Sequence, residues 1–246
     1  TRSSWVTGVQ TCALPILLCQ RLRIKPPQII FSNQLITRFV VLQDKLIINN
    51  SPLSKFSQET LPALLAHELQ THYLRFYNQQ QQSFASQKRI DYLRTEEGLA
   101  ILVGSFYKPQ LNFSAICALY IGVDLAQKAS FSQVFAYFSQ NGLGFNQAWA
   151  KTMRVKRGLE DTSQPGGLTK DLVYLEGVWE VCDYLLAPNS SLLDLYLGKI
   201  SWQQAAFYHQ QANLKAMRYP EFVPHRLQDF LSHVCSCKLE LAPPPP

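Results

Sequence analysis

Two histidines and a carboxylate lie within six residues of one predicted helix, in the order His67-Glu68-Leu69-Gln70-Thr71-His72. This combination suggests the motif of zinc peptidases, in which two imidazoles bind the metal and the glutamate acts on a water. In that motif the histidines are four residues apart, whereas here they are five apart. At about 100° per residue, a regular α-helix would turn His72 about 140° away from His67. The two rings can therefore share one metal only if the helix ends there or widens into a π-type turn.

The hydrophobic pattern of the same helix bears on Glu68. The leucines between positions 61 and 69 form one apolar stripe, and both Glu68 and His72 fall within it. Because a buried carboxylate without a partner is costly, Glu68 must interact with something there. The residues alone leave two interpretations open: a metal site, or a core histidine beside a glutamate that pairs with a neighbouring arginine.

A third metal ligand is available one helix downstream. Catalytic zinc takes three protein ligands and leaves a fourth position for water. The next predicted helix carries Glu96 and Glu97, and Glu97 shares a face with Ala100 and Gly104. Gly98 costs about 1 kcal/mol in a helix interior, so it indicates the close approach of another element.

The composition limits the class of protein. The 246 residues are 47% hydrophobic and 16% charged, which is typical of a folded domain and excludes a disordered chain. The net charge of +6 is not concentrated in any block, so we expect no nucleic acid as a partner. No apolar run reaches the ~18 residues that span a bilayer, so we expect no membrane partner. Six irregularly spaced cysteines without a C-x-x-C pair indicate a reducing compartment, and we predict a cytoplasmic protein.

The first sixteen residues do not read as part of the fold. Residues 6–16 resemble the translation of a widely used sequencing adapter, and the chain has no initiator Met. The basic and small-residue features of a signal peptide are also poor. We therefore predict that residues 1–16 are an artefact and that residues 17–246 form one N-terminally truncated domain.

The remaining pattern predicts a small sheet followed by helices. β-branched and aromatic runs predict strands at residues 28–31, 38–42 and 46–48. From Thr60, a candidate N-cap, the period becomes helical, while glutamines 79–82 indicate a loop or a frayed helix end. Further helices are expected at residues 95–107, up to 140, from a cap at Thr169 to about 186, and at 199–217. The predicted fold class is α+β, a mostly helical single domain with a small N-terminal sheet.

The order of these motifs resembles that of a known family. The His67 to Arg75 segment, followed by Glu96-Glu97-Gly98-Leu99-Ala100, is similar to the QEGLA-motif proteins. Their bacterial members are named for modulating flavohaemoglobin expression, and animal relatives include the microtubule-associated tyrosine carboxypeptidases. A later stretch resembles the family's R-G…G-G-x-T-K-D-x-x-Y-L-x-G and G-K-I segments, in Arg157-Gly158, Gly166 to Gly177 and Gly198-Lys199-Ile200.

The resemblance implies a zincin-like metallopeptidase, with Zn²⁺ bound by His67, His72 and Glu97. Glu68 would be the general base that acts on a zinc-bound water. Glu96 stands where the family usually has Gln, which keeps it open as the alternative third ligand. The implied activity is that of a carboxypeptidase acting on a peptide or protein C-terminus. The alternative is a zinc-binding regulatory protein without turnover, although zinc binding alone does not need Glu68.

A second group of residues is predicted to contact the substrate. Lys170 and Tyr174 are four residues apart near a helix start, so they share one face. We predict that they contact the oxyanion or the substrate carboxylate, with Arg157 as a second cation. The alternative is that Lys170 pairs with an acid and Tyr174 fills the core. Arg75, one turn after His72, is a candidate to orient a metal ligand.

Overall fold

The computed structural model describes residues 8–35, 37–50, 59–86, 91–108, 113–221 and 224–241. The chain divides into two compact units: residues 1–111 with 177–246, called here the first unit, and residues 112–176, the second unit. The described elements are mostly helical with one three-stranded sheet, which confirms the predicted α+β class. The extent of the domain stays a prediction. No helix among the described residues is long and apolar enough to cross a membrane.

The first unit begins with α1 (Gly8–Arg21) and a small sheet of β1 (Gln28–Ser32), β2 (Phe39–Leu42) and β3 (Lys45–Asn49). Strand β3 is central, parallel to β1 and antiparallel to β2, which confirms the three predicted strands. Leu46 and Ile48 of β3 are buried, so one face of the sheet packs into the core. Residues 8–16 of the segment predicted to be an artefact lie in α1, and that assignment stays a prediction.

The helices that carry the motif follow the sheet. Helix α2 (Leu61–His67) leads through a π-helical turn (Glu68–Tyr73) into α3 (Leu74–Gln80), and α4 (Leu93–Ser105) packs against α2. The predicted start of α2 is correct, but the Thr60 side chain makes no capping hydrogen bond.

Glycines bring α4 close to its neighbours. A Cβ at Gly98 would overlap the carbonyl oxygen of Gly177, so the predicted close approach at Gly98 is confirmed. Gly104 lies against Ala63 and the Cβ of His67, so α4 can approach the motif helix beside the first histidine.

The second unit is a helical cluster of α5 (Ser114–Ala126), α6 (Phe131–Gln140) and α7 (Phe145–Lys156). Its core includes Val123, Phe138 and Val155, all of them fully buried. The buried Lys156 ammonium donates hydrogen bonds to the carbonyl oxygens of Ala129, Gln164 and Gly166, at 2.8, 2.6 and 2.9 Å. These bonds hold together loop segments that lack regular structure.

Two predicted helices differ from the structure. Thr169 does not cap α8 (Val173–Leu186), because it opens a short 3-10 turn (Thr169–Leu172) that precedes the helix. Residues 199–217 form short pieces instead of one helix. These pieces are a 3-10 turn (Trp202–Gln204), α9 (Ala205–His209) and another 3-10 turn (Leu214–Ala216), before α10 (Pro224–Leu241).

In residues 196–218, side chains from α3 and the turn after it bind backbone groups that a regular helix would have paired internally. The Asn78 amide donates to the carbonyl oxygens of Tyr196 and Arg218, and its oxygen accepts from the Arg218 N–H. Gln79 accepts from the Lys199 N–H, and the buried Gln82 accepts from the Asn213 N–H. The predicted loop or frayed helix end at residues 79–82 is confirmed, since α3 ends at Gln80 and a turn follows. Within it, Gln79 and Gln82 hydrogen-bond to backbone more than 100 residues away.

Gly98→Ala should destabilise the protein by roughly 1–3 kcal/mol, because the added methyl group would collide with the Gly177 backbone. Urea unfolding followed by circular dichroism measures this change. Gly144→Ala is the control, since a Cβ there meets nothing within 4 Å. Equal, small losses in both variants would contradict the tight crossing of α4 and α8.

Candidate metal centre

The π turn solves the spacing problem of the two histidines. His67 ends α2, and the turn Glu68–Tyr73 follows with i→i+5 bonding, such as the Leu74 N–H to the Leu69 carbonyl. In such a turn, residues five apart come to nearly the same face. The His67 and His72 ring centroids are 4.9 Å apart, at an interplanar angle of 75°. The locally widened helix that the sequence requires for a shared metal is therefore present.

Glu97 on α4 completes a group of three ligand atoms. The Glu97 Oε2 atom lies 3.7 Å from His67 Nε2 and 3.8 Å from His72 Nε2, and the three ligand atoms lie within 4.8 Å of one another. Two ligands of one tetrahedral zinc ion, each about 2 Å from it, are about 3.4 Å apart. Two imidazoles and one carboxylate are also a ligand set of catalytic zinc, so these residues fit that ion. Their side chains remain partly accessible, which leaves room for a further ligand.

The adjacent Glu96 points to the other side of His72. Its Oε1 atom accepts from His72 Nδ1 at 2.8 Å and from Lys199 Nζ at 2.7 Å. Its Oε2 atom accepts from Arg75 Nη1 at 3.3 Å. The fully buried Arg75 also donates to the carbonyl oxygens of Leu195 and Ile200, at 2.8 and 2.6 Å. The structure thus groups Glu97, and not Glu96, with the Nε2 atoms of the two histidines. It places Arg75 beside the carboxylate that contacts His72.

The pKa values of the two histidines are shifted in opposite directions. Burial lowers the pKa of His67 to about 3, and the neighbouring His72 adds to this effect. For His72, burial alone would lower the pKa, but the hydrogen bond to Glu96 and the nearby carboxylates raise it to about 9. Burial would also raise the pKa of Glu96, but His72, Arg75 and Lys199 together lower it to about 2. Glu96 is therefore an anion that is neutralised from three sides.

Glu68 lies at the start of the π turn and is half-buried. Burial raises its pKa to about 7, with the Glu97 charge acting in the same direction and His72 opposing it. The backbone N–H of Val41 in β2 donates a hydrogen bond to the Glu68 carboxylate, which acts to lower the pKa. The sheet therefore helps to place this carboxylate. A carboxyl group with a pKa near neutrality can both accept and return a proton.

Comparison with known proteins identifies a family for the chain. The profile of the microtubule-associated tyrosine carboxypeptidase family matches residues 18–238, which include all of the residues just described. The chain belongs to this family.

Individual family members are about one third identical to the chain. Microtubule-associated tyrosine carboxypeptidase 1 is 33% identical in Mus musculus, 34% in Rattus norvegicus and 32% in Homo sapiens. Each comparison covers 72% of this chain and 39% of the relative. The chain therefore spans about two fifths of the length of the curated relatives that it matches.

The other residues singled out in this family member lie in the second unit. Lys170 is exposed on the 3-10 turn, and Tyr174 is half-buried on α8. The guanidinium of Arg154 lies 5.6 Å from the centroid of the Tyr174 ring and binds the buried Asp171 with both Nε and Nη2. Arg157 Nη2 lies 3.6 Å from Asp171 Oδ1. The roles predicted for Lys170, Tyr174 and Arg157 stay predictions.

Lys199 is the site residue that sequence reasoning missed. The resemblance includes Lys199 in the Gly198-Lys199-Ile200 segment but implies no role for it. In the structure its ammonium contacts the Glu96 carboxylate, which is hydrogen-bonded to His72. The sequence offered one indication of this role: Lys199 is the only charged residue of the Gly198-Lys199-Ile200 segment, which resembles a family motif. Its distance from Glu96 along the chain, 103 residues, hid the contact.

Asn78→Ala should release the backbone segment around Lys199, because it removes the hydrogen bonds of one buried and two partly buried backbone groups. We expect a loss of roughly 2–4 kcal/mol in unfolding free energy. Hydrogen exchange should accelerate in residues 195–218 more than in α2 or α4. The exposed Gln80→Ala, two residues further along the same helix, is the control. Unchanged exchange in residues 195–218 would refute this role of Asn78.

Proposed function

We propose that this protein is a zinc-dependent carboxypeptidase that cleaves a peptide or amide bond at a C-terminus. The observation that carries the proposal is the convergence of His67 Nε2, His72 Nε2 and Glu97 Oε2 in a partly accessible site. The names of the relatives support the carboxypeptidase class. Since the chain spans only part of those relatives, their activity extends to it as a proposal.

In this mechanism the residues of the chain have separate tasks. His67, His72 and Glu97 would hold Zn²⁺, which supplies Lewis acidity toward the scissile carbonyl and acidifies water. Glu68 takes the proton of the attacking water and passes it to the leaving amine.

A substrate with a free C-terminus needs a cation for its carboxylate and a donor for the developing oxyanion. We assign the carboxylate to Lys170 and Arg157, and the oxyanion to the Tyr174 hydroxyl. Support for Lys170 comes from its exposure and from the lack of any acidic partner among the described residues. Arg157 is less free, because it also faces Asp171.

The proposal also includes a location and a class of substrate. The name of the relatives refers to microtubules, which supports a cytoplasmic location and a protein C-terminus as substrate. A zinc-binding regulator without turnover is the competing function. Glu68 argues against it, because a site that only binds metal has no use for a half-buried carboxyl group beside its ligands.

The purified protein should bind about one zinc ion per chain with high affinity, measured by metal analysis and chelator competition. His67→Ala, His72→Ala and Glu97→Ala should each abolish tight binding, because three ligands are needed. Glu68→Ala should keep the zinc and lose peptide hydrolysis. Full zinc binding by Glu97→Ala, together with loss in Glu96→Ala, would transfer the third ligand to Glu96.

Lys170→Met should raise KM for peptides with a free C-terminus by at least about tenfold, and much less for amidated peptides. The reason is that only the free carboxylate would lose an ionic partner. Tyr174→Phe should instead lower kcat, if its hydroxyl meets the oxyanion. Lys128→Met, at another exposed lysine of the second unit, is the control. Equal effects of Lys170→Met on both peptide types would remove Lys170 from the substrate site.

A further inference from the structure

Glu96 is a buried carboxylate whose two oxygens are both engaged. Its side chain is only 4% exposed, and it sits next to the candidate ligand Glu97 on α4. One oxygen accepts from His72 and Lys199, and the other accepts from Arg75. Because these contacts face away from Glu97, Glu96 does not compete with it for an ion. Any effect of Glu96 on a bound ion is therefore transmitted by its hydrogen bond to His72.

The contact between Glu96 and His72 selects one state of the ring. An ionised carboxylate can only accept hydrogen bonds, so His72 Nδ1 carries the hydrogen in this 2.8 Å contact. In a neutral imidazole the lone pair then lies on Nε2. Nε2 is the atom that faces Glu97 Oε2 at 3.8 Å. Glu96 therefore orients the ring, and in the neutral imidazole that binds a metal it leaves the lone pair on Nε2, where the three candidate ligand atoms meet.

Glu96 is held in turn by two cations from different parts of the first unit. Arg75 belongs to α3, and Lys199 follows the 3-10 turn Leu192–Tyr196. The segment that carries Lys199 is fixed, because Arg75 donates to the Leu195 and Ile200 carbonyls on either side of it. The Lys199 N–H is also bound, by the Gln79 side chain. These hydrogen bonds fix the backbone on both sides of Lys199 and so place its ammonium beside Glu96.

We propose that Glu96 is a positioning residue for the metal ligand His72, and that Lys199 acts through Glu96 to keep it in place. This inference rests on the proposed function, because it specifies how the zinc site of that proposal keeps its shape. A hydrogen-bonded carboxylate behind a histidine ligand fixes the ring and raises its affinity for the metal. Lys199 locks the same oxygen that holds His72.

A purely structural ion pair is the competing explanation. Arg75 alone would serve that purpose, since it already joins α3 to Glu96 and to the segment around Leu195 and Ile200. The second cation, Lys199, adds nothing to that connection, yet it is placed on the oxygen that faces His72. A glutamine at this position would have only one oxygen and could not accept from all three donors.

The test compares zinc affinities of full-length variants by competition with a chromophoric chelator. Glu96→Ala should weaken zinc binding about 10- to 100-fold, the range found when such partners of metal-binding histidines are removed. Lys199→Met should weaken it by a smaller factor, and Lys199→Arg should restore it. In the Glu96→Ala background, Lys199→Met should have no further effect, because its influence passes through Glu96.

A matched control and a second readout separate positioning from folding. Glu180→Ala removes another paired carboxylate of the first unit, which accepts from Arg94 and Trp202, and it should leave zinc affinity unchanged. The visible absorption spectrum of the cobalt-substituted protein should shift in Glu96→Ala and not in Glu180→Ala. Melting temperatures of the metal-free variants show whether stability alone has changed. If Glu96→Ala does not fold, Lys199→Met decides the matter, because methionine keeps most of the aliphatic length of the lysine side chain and removes only its charge.

Several outcomes would overturn the inference. Wild-type zinc affinity and cobalt spectrum in Lys199→Met and Glu96→Ala would show that the ion pair is only structural. An equal effect of Lys199→Met with and without Glu96 would show that Lys199 does not act through it. These results would leave the proposed function intact if the wild-type protein binds zinc and cleaves peptides. A wild-type protein that binds no zinc would overturn both proposals.

Discussion

The arrangement of the site depends on the i→i+5 turn between His67 and His72. Only a widened turn lets residues five apart share one face, and side chains hold it on both sides. The Thr71 hydroxyl lies 3.5 Å from the Ala66 carbonyl, also five residues back. Gln70 donates to the Tyr107 hydroxyl and accepts from the Glu221 N–H, both at 2.6 Å. The turn is therefore held in the fold by tertiary contacts from Tyr107, just after α4, and from Glu221, before α10.

Around this turn, accessibility changes sharply over a short distance. The three candidate ligands are partly accessible, whereas Glu96 and Arg75 behind them are buried. A buried ion pair adds little net stability, because the loss of solvation offsets most of the attraction. Removing one partner is costly, however, since it leaves a buried charge unpaired. The main effect of such a pair is to fix one conformation of its side chains. Here that fixes the Glu96 carboxylate, and with it the ring of the candidate ligand His72.

Local and steric signals in the sequence predicted part of this correctly. The three strands, the start of α2, the widened turn and the close approach at Gly98 all follow from neighbouring residues or from the demands of one motif. The error at residues 199–217 has another cause. The Asn78 side chain of α3 donates to backbone carbonyls 118 and 140 residues away, so the distant segment needs no helix. The contact of Lys199 with Glu96 was hidden for the same reason.

Glu68 is the feature of the site that metal binding alone does not explain. His67, His72 and Glu97 already offer three candidate ligands, and Glu96 has its own cations. A further carboxyl group in this half-buried place meets a desolvation cost, which appears in its raised pKa. A neutral side chain would avoid that cost and the repulsion from Glu97. Proton transfer at the metal is a task that would justify retaining the acid, and so the local energetics favour turnover over a silent zinc site.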